Sequence, residues 1–439
     1  MNISSKVDTS DEISINYPRI DTILLLLFCG YVFIWYLQIG YRMPFLGAIR
    51  FEFIYAAILT VLAILFTPKL NLKSPVVPYV LLYFLVIVIQ LPFSYDFETS
   101  WNVFVDRIIK FAFMFFFIAS FVRSPTHMKY FLAAFLLACL KMGQEGLIGR
   151  ITGNLIWENQ GVMRLHGSTP LYDHPNSFSG MALGTLPFVY YLWPYAKKYV
   201  RLILLVIAIL SLNIIIYTAS RTGYVGFSVF ILCIFITSRN KKKFLLILLL
   251  IFIMTIPLIP ADYMERFDSI FTLQDKEGHS TEKRMVILED SWEIFKEHPL
   301  GVGVAAFPKV RMDRFGRNQD THNLYLEIAT NLGFQGFIVV SLFIYKMLAT
   351  LNNIRASAQM NIIKLLNNGN QRNDILINDL NFVKSLSLAT ISFIIIRLTL
   401  GLFGMDLYEI YWWFAVGISF SLYSIMDNLQ KAINDHNTV

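Results

Sequence analysis

Charged side chains are scarce in this chain: they make up 15% of its 439 residues, against about 25% in an ordinary soluble domain. That shortage excludes a fully solvated globular protein of this length. Cysteine is nearly missing as well. Its three copies, Cys29, Cys139 and Cys233, each lie inside an apolar run with no neighbour at metal-ligand spacing, which excludes a disulfide framework and a zinc site. No pair of carboxylates is placed for metal-assisted chemistry either; Asp173 and Asp320 stand singly. No small-residue cleavage site follows the first apolar block, so that block reads as a retained helix rather than a signal peptide.

What is abundant is apolar. Hydrophobic residues reach 56%, with 38 Phe and 22 Tyr, and they come in blocks as long as the roughly 20 residues that cross a bilayer as helix. About twelve such blocks follow one another, so the reading is an all-α integral membrane protein. Residues 1–146 hold the first five spans, 147–176 a polar segment, and 177–260 spans six to nine. A long polar stretch with an amphipathic helix and a re-entry segment fills 261–333. Span ten follows at 334–351, a polar loop at 352–384, the last two spans at 385–426 and a tail at 427–439.

Loop charge orients these spans. Every second short loop is basic: Lys69 and Lys73, Arg123 and Lys129, Lys197 with Lys198 and Arg201, Arg239 with Lys241 to Lys243. Basic loops stay in the cytoplasm, so both termini and 352–384 are assigned there, and 147–176 and 261–333 to the outer side of an inner membrane, facing the periplasm. The net charge of +7 therefore reads as topology, not as a nucleic-acid surface.

Four polar features fall on that outer side. They are Arg164 followed by Asp173-His174-Pro175-Asn176; Arg221 at a helix entrance; Arg284 ahead of a stripe of Met285, Leu288, Trp292 and Phe295; and Asp320-Thr321-His322-Asn323. The stripe recurs at helical steps and suits a membrane-facing amphipathic helix. It stops at His298-Pro299, and Gly301-Val302-Gly303 reads as a tight turn. The planar fork of arginine matches phosphate oxygens bidentately, and histidine is the side chain best suited to take a proton near neutral pH. Together they describe transfer from a lipid-linked pyrophosphate, with His322 as base.

Plainer readings stand beside these. Arginines at a membrane interface also serve as snorkelling anchors. His174 and His298 precede prolines and suit helix ends, and His322 sits beside a potential cap at Thr321. Arg311, Arg314 and Arg317 read as a solvated face rather than a second anion site. Two charges inside spans, Lys110 and Arg397, are second-tier candidates for the cavity, because a charge at such depth needs a partner or water.

Arg164-Leu165-His166-Gly167 with Pro175-Asn176, Ser220-Arg221-Thr222-Gly223, Arg284 with His298-Pro299 and Gly301-Val302-Gly303, and His322-Asn323-Leu324-Tyr325 through Gly333 to Gly336 occur in this order. In this the chain resembles the O-antigen ligase and polymerase superfamily of bacterial envelope glycosyltransferases, mainly across Arg164–Asn323. The resemblance implies a GT-C-like membrane fold with a helical periplasmic loop, and glycan transfer from undecaprenyl pyrophosphate to an acceptor hydroxyl without metal, nucleotide sugar or other cofactor. It implies roles for Arg164, Arg221 and Arg284 on pyrophosphate and for His322 in catalysis, with His174, Asn176 and Asn323 beside them. A ligase would use the lipid A-core as acceptor; a polymerase would use a second lipid-linked repeat, and a chain-length regulator as partner. A transporter or flippase of lipid-linked sugar is the alternative of another class, and it calls for charges and broken helices at mid-depth.

Overall fold

The computed structural model describes residues 19–159, 162–238, 240–255, 280–367 and 374–437. The first half of the bundle is built from α1 (Arg19–Leu37), α2 (Phe51–Phe66), α3 (Val77–Gln90), α4 (Phe97–Val103), α5 (Lys110–Phe121), α6 (Pro125–Thr152), α7 (Pro175–Leu192) and α8 (Lys198–Tyr217). Then come α9 (Arg221–Thr237), α10 (Lys241–Thr255), α11 (Ser280–Glu297), α12 (Phe307–Phe315), α13 (Leu324–Asn367), α14 (Asp374–Leu400) and α15 (Ile410–Asn437).

The chain is an all-α multi-pass membrane protein. Each apolar block carries helix, and five helices among the described residues are long and apolar enough to cross a bilayer. The end of the ninth block, residues 256–260, lies outside the described residues. Outward faces of α2 and α8 present Phe53, Ile58, Leu65, Leu202 and Ile209, all exposed, an apolar surface that a water-facing protein avoids.

Inside, the bundle is held by rings. Phe414 of α15 packs on Phe135 of α6 (4.9 Å between centroids), Phe188 of α7 (5.8 Å) and Phe393 of α14 (5.7 Å). Such edge-on and tilted pairs are favoured over face-to-face stacking. The charged end of the fifth span is accounted for too: Arg42 grips both carboxylate oxygens of Glu145 in α6, at 2.9 and 2.7 Å.

Two local expectations change. The fifth span does not end at residue 146, because α6 runs on to Thr152, and the segment after it carries a hairpin, β1 (Ile156–Asn159) antiparallel to β2 (Val162–Leu165), with Trp157 opposite Arg164. The polar stretch 352–384 is largely helix rather than loop. Its asparagines hide a helical stripe, Leu351, Ile354, Ala358, Ile362 and Leu365, that is buried along α13. After residue 333, α13 therefore extends about 50 Å at 1.5 Å per residue, well past a hydrocarbon core of about 30 Å.

The joint that sets the functional end of the bundle is a break in α13 at Gly333, whose φ of 69° and ψ of −172° are not helical. A broken helix strands backbone carbonyls. Here the expected tight turn supplies their donors: Val302 N–H to Thr330 O at 2.8 Å and Gly303 N–H to Asn331 O at 3.0 Å. Phe334 N–H bonds Pro299 O at 2.9 Å, and the Gln90 and Gln335 amides both reach Leu300 O. A Cβ at 333 would lie 2.3 Å from the Leu300 carbonyl carbon. Gly333→Ala should therefore cost at least about 1–3 kcal/mol and lower the melting temperature in detergent; an unchanged melting curve would show that the joint is not a constraint.

Candidate active site

Four helices, α7, α9, α13 and α15, begin at one end of the bundle, so the partly positive ends of their dipoles converge there. Between them opens a cavity of about 620 Å³. Its walls bring together Arg164, Arg221, Arg284 and His322, residues separated by up to 158 positions in the chain. His174, Asn176 and Arg397 line it as well.

The arginines are placed by caps. Ser220 caps α9 by accepting from Gly223 N–H at 3.0 Å, which sets Arg221 as the first helical residue. The Ser220 hydroxyl also donates to Asn176 Oδ1 at 2.8 Å, and Arg164 Nη2 donates to the same oxygen at 3.0 Å. Arg164 Nε binds Thr218 O at 2.8 Å, and the side chain is buried. One amide oxygen thus ties the hairpin, α7 and α9 to each other. His174 caps α7, its Nδ1 accepting from Asn176 N–H at 3.1 Å; in the neutral ring the proton then sits on Nε2. Its pKa is pushed down by burial and by the charge of Arg164, against Asp173.

His322 sits at φ 48°, a left-handed backbone that a non-glycine residue rarely adopts and that clusters at functional sites. Its neighbour holds it there. Asn323 Oδ1 accepts from Tyr325 and Leu326 N–H at 3.0 and 3.1 Å, and Nδ2 donates to Leu402 O at 3.2 Å. Asn323 is accordingly a helix cap that orients the loop, and it is not on the cavity wall. The walls around His322 disfavour its charged form; Asp320 opposes that, and Arg284 and Arg311 reinforce it, so its pKa is lowered.

Other expectations are revised. Lys110 is exposed and off the wall. Arg107 takes its place, from a π-helical segment Phe104–Ile109 that shifts the register between α4 and α5, and pairs with Glu409 at 3.1 Å. Of Arg311, Arg314 and Arg317, the last two are exposed as expected and Arg311 is not. Arg311 is buried and paired with Asp290 at 2.8 Å, Arg317 reaches the same carboxylate at 3.1 Å, and Arg314 pairs with Glu297. Acids at 290, 293 and 297 on α11 and arginines at 311 and 314 on α12 form facing rows, so these cations hold the two helices together. The stripe of Met285 and Trp292 does face outward, both residues being exposed, while Ile287 and Ile294 pack inward. His298 lies just past the end of α11, in keeping with its place before a proline.

Sequence reasoning did not single out Arg107, Asp406, Glu409 or Tyr411, all of which line the cavity. Arg397 is buried, stacked 3.2 Å from the Tyr411 ring centroid, bonded to Gly180 O at 2.9 Å, and 3.9 Å from Asp406. Gly180 and Gly184 on α7 leave the room its guanidinium needs. In all, five arginines face two carboxylates in this cavity, an excess of positive charge that suits an anionic group of high charge. Among the described residues, no three His, Cys, Asp or Glu side chains are grouped to hold a metal ion.

Fold and cavity together define a polytopic membrane protein with an arginine-rich cavity at one end of its helix bundle. Residues 203–341 match the family model described as O-antigen ligase, a match that supports kinship with the O-antigen ligase and polymerase superfamily. The matched stretch contains Arg221, Arg284 and His322, and leaves Arg164 and the Arg397–Tyr411 wall outside it. No curated protein matches the chain.

A titration tests the electrostatics of the site directly. By NMR of labelled histidine, His322 should titrate below the ordinary value of about 6.5. Asp320→Asn removes the neighbouring negative charge that favours the imidazolium, so the midpoint should move lower still. A midpoint at or above the ordinary value would contradict this arrangement.

Proposed function

We propose that the protein transfers a glycan from undecaprenyl pyrophosphate to an acceptor hydroxyl at the periplasmic face of the inner membrane, in the manner of an O-antigen ligase. The observation that carries this is the single cavity in which Arg164, Arg221, Arg284 and His322 meet. In this reading the arginines hold the pyrophosphate and neutralise the charge that grows on it as the glycosidic bond to its oxygen breaks, an electrostatic contribution worth several kcal/mol in comparable sites. His322, held uncharged near neutral pH by its surroundings, takes the proton of the acceptor hydroxyl as that oxygen bonds to the sugar's anomeric carbon. The acceptor is the lipid A-core; the polymerase reading substitutes a second lipid-linked repeat at the same position.

Purified protein supplied with undecaprenyl-pyrophosphate glycan and each acceptor in turn separates these. Product on lipid A-core supports the ligase, product only on a second repeat makes it a polymerase, and no product from folded protein with either acceptor removes the enzyme reading. His322→Asn preserves a side chain tolerant of positive φ and should lower turnover by on the order of 10²–10⁴ with donor binding retained. Arg221→Lys keeps the charge but loses the fork; full activity in that variant would argue against bidentate pyrophosphate contact.

A further inference from the structure

Two buried polar atoms in the stretch from Arg397 to Tyr411 have no hydrogen-bond partner among the described residues: Nε of Arg397, a donor, and Oε2 of Glu409, an acceptor. Both residues line the cavity. The remainder of each group is engaged. Arg397 is spent on Gly180 O and the Tyr411 ring, and Glu409 Oε1 is held by Arg107 at 3.1 Å. Buried polar atoms are nearly always satisfied, so an orphan in a cavity wall marks a place where something else completes the bond.

The chemistry of the two orphans is complementary. A phosphate near neutral pH offers acceptors only, and the carboxylates of Asp406 and Glu409, both on this wall, repel it. A sugar hydroxyl both donates and accepts. We propose that the Arg397–Glu409 wall is a saccharide subsite, in which Glu409 accepts from and Arg397 donates to the hydroxyls of a sugar seated beside the pyrophosphate. This rests on the glycosyl-transfer reading of the cavity. It divides one cavity into an arginine wall for the anion and a mixed-charge wall for the carbohydrate. Arg107 is then a positioning residue: it fixes one carboxylate oxygen and leaves the other to the sugar.

The test compares undecaprenyl pyrophosphate without glycan and the same lipid bearing glycan, as ligands of the full chain in nanodiscs. Glu409→Gln keeps size but replaces an acceptor-only group by an amide. Glu409→Asp keeps the charge and withdraws it, and stands in should the first variant not fold. If the wall takes the donor's sugar, affinity for the glycan-bearing lipid falls about tenfold while the glycan-free lipid binds as before. If it takes the acceptor's sugar, donor binding is unchanged and the KM for acceptor rises about tenfold with kcat little altered. Equal weakening of both lipids, or no change in donor affinity or acceptor KM, overturns the proposal. Absence of product from the wild-type protein is a different result and bears on the glycosyl-transfer reading.

Discussion

The break in α13 is the constraint on which the rest of this end of the molecule depends. Backbone left unpaired within a membrane protein costs several kcal/mol per group unless protein or water satisfies it. The turn Gly301–Gly303 does so, and its fit leaves no slack. Gly303, at φ 110°, lies where a Cβ would meet Ser94. Tyr95 N–H takes Val302 O at 2.8 Å, and Ser100 takes Val304 O at 2.6 Å. One joint therefore locks the loop before α4, the segment after α11 and the start of α13. His322 is two residues ahead of α13, and Arg284 is on α11, so this joint bears directly on their separation.

The second organising device is the sharing of polar partners between helix ends. Asn176 takes hydrogen bonds from Arg164 and Ser220 on one oxygen, which couples three chain segments without burying a full charge pair. Arg397 is managed differently, through a carbonyl, a ring and a distant carboxylate. Burial raises the pKa of Asp406, and Arg397 offsets this. The cavity so built holds the guanidinium groups of Arg164 and Arg397 in fixed contacts, and preorganised charge of this kind is what stabilises a developing anion at least cost.

Much of this was legible in the sequence, for identifiable reasons. Apolar blocks located the helices because bilayer thickness fixes a minimum length, and loop charge assigned Arg164, Arg221, Arg284 and His322 to one side; the cavity then joins them. Local patterning was less informative where tertiary packing overrides it. The stripe of α13 beyond Leu351 was masked by asparagine, and the hairpin of Ile156–Leu165 is too short to announce itself. Arg107 read as the first residue of a span, because a π-helical register shift leaves no mark in periodicity. Arg311 looked solvated because its partner, Asp290, lies 21 residues away on another helix. Glu409 and Tyr411 carry no local signal at all; only the return of α15 to the cavity reveals them.

The facing rows of α11 and α12 have a further consequence. Added salt shortens the Debye length, near 8 Å at physiological ionic strength, and so weakens exposed charge pairs, but it screens buried pairs far less. Arg314 with Glu293 and Glu297 is open to solvent, whereas the Arg311 guanidinium is 1% exposed on Asp290. Along α11, Asp290 is also the acid of this row nearest Arg284. Rising salinity therefore loosens the far end of this helix pair first and leaves the end beside the cavity anchored. The helix pair can thus loosen at its far end without releasing Arg284 from the cavity.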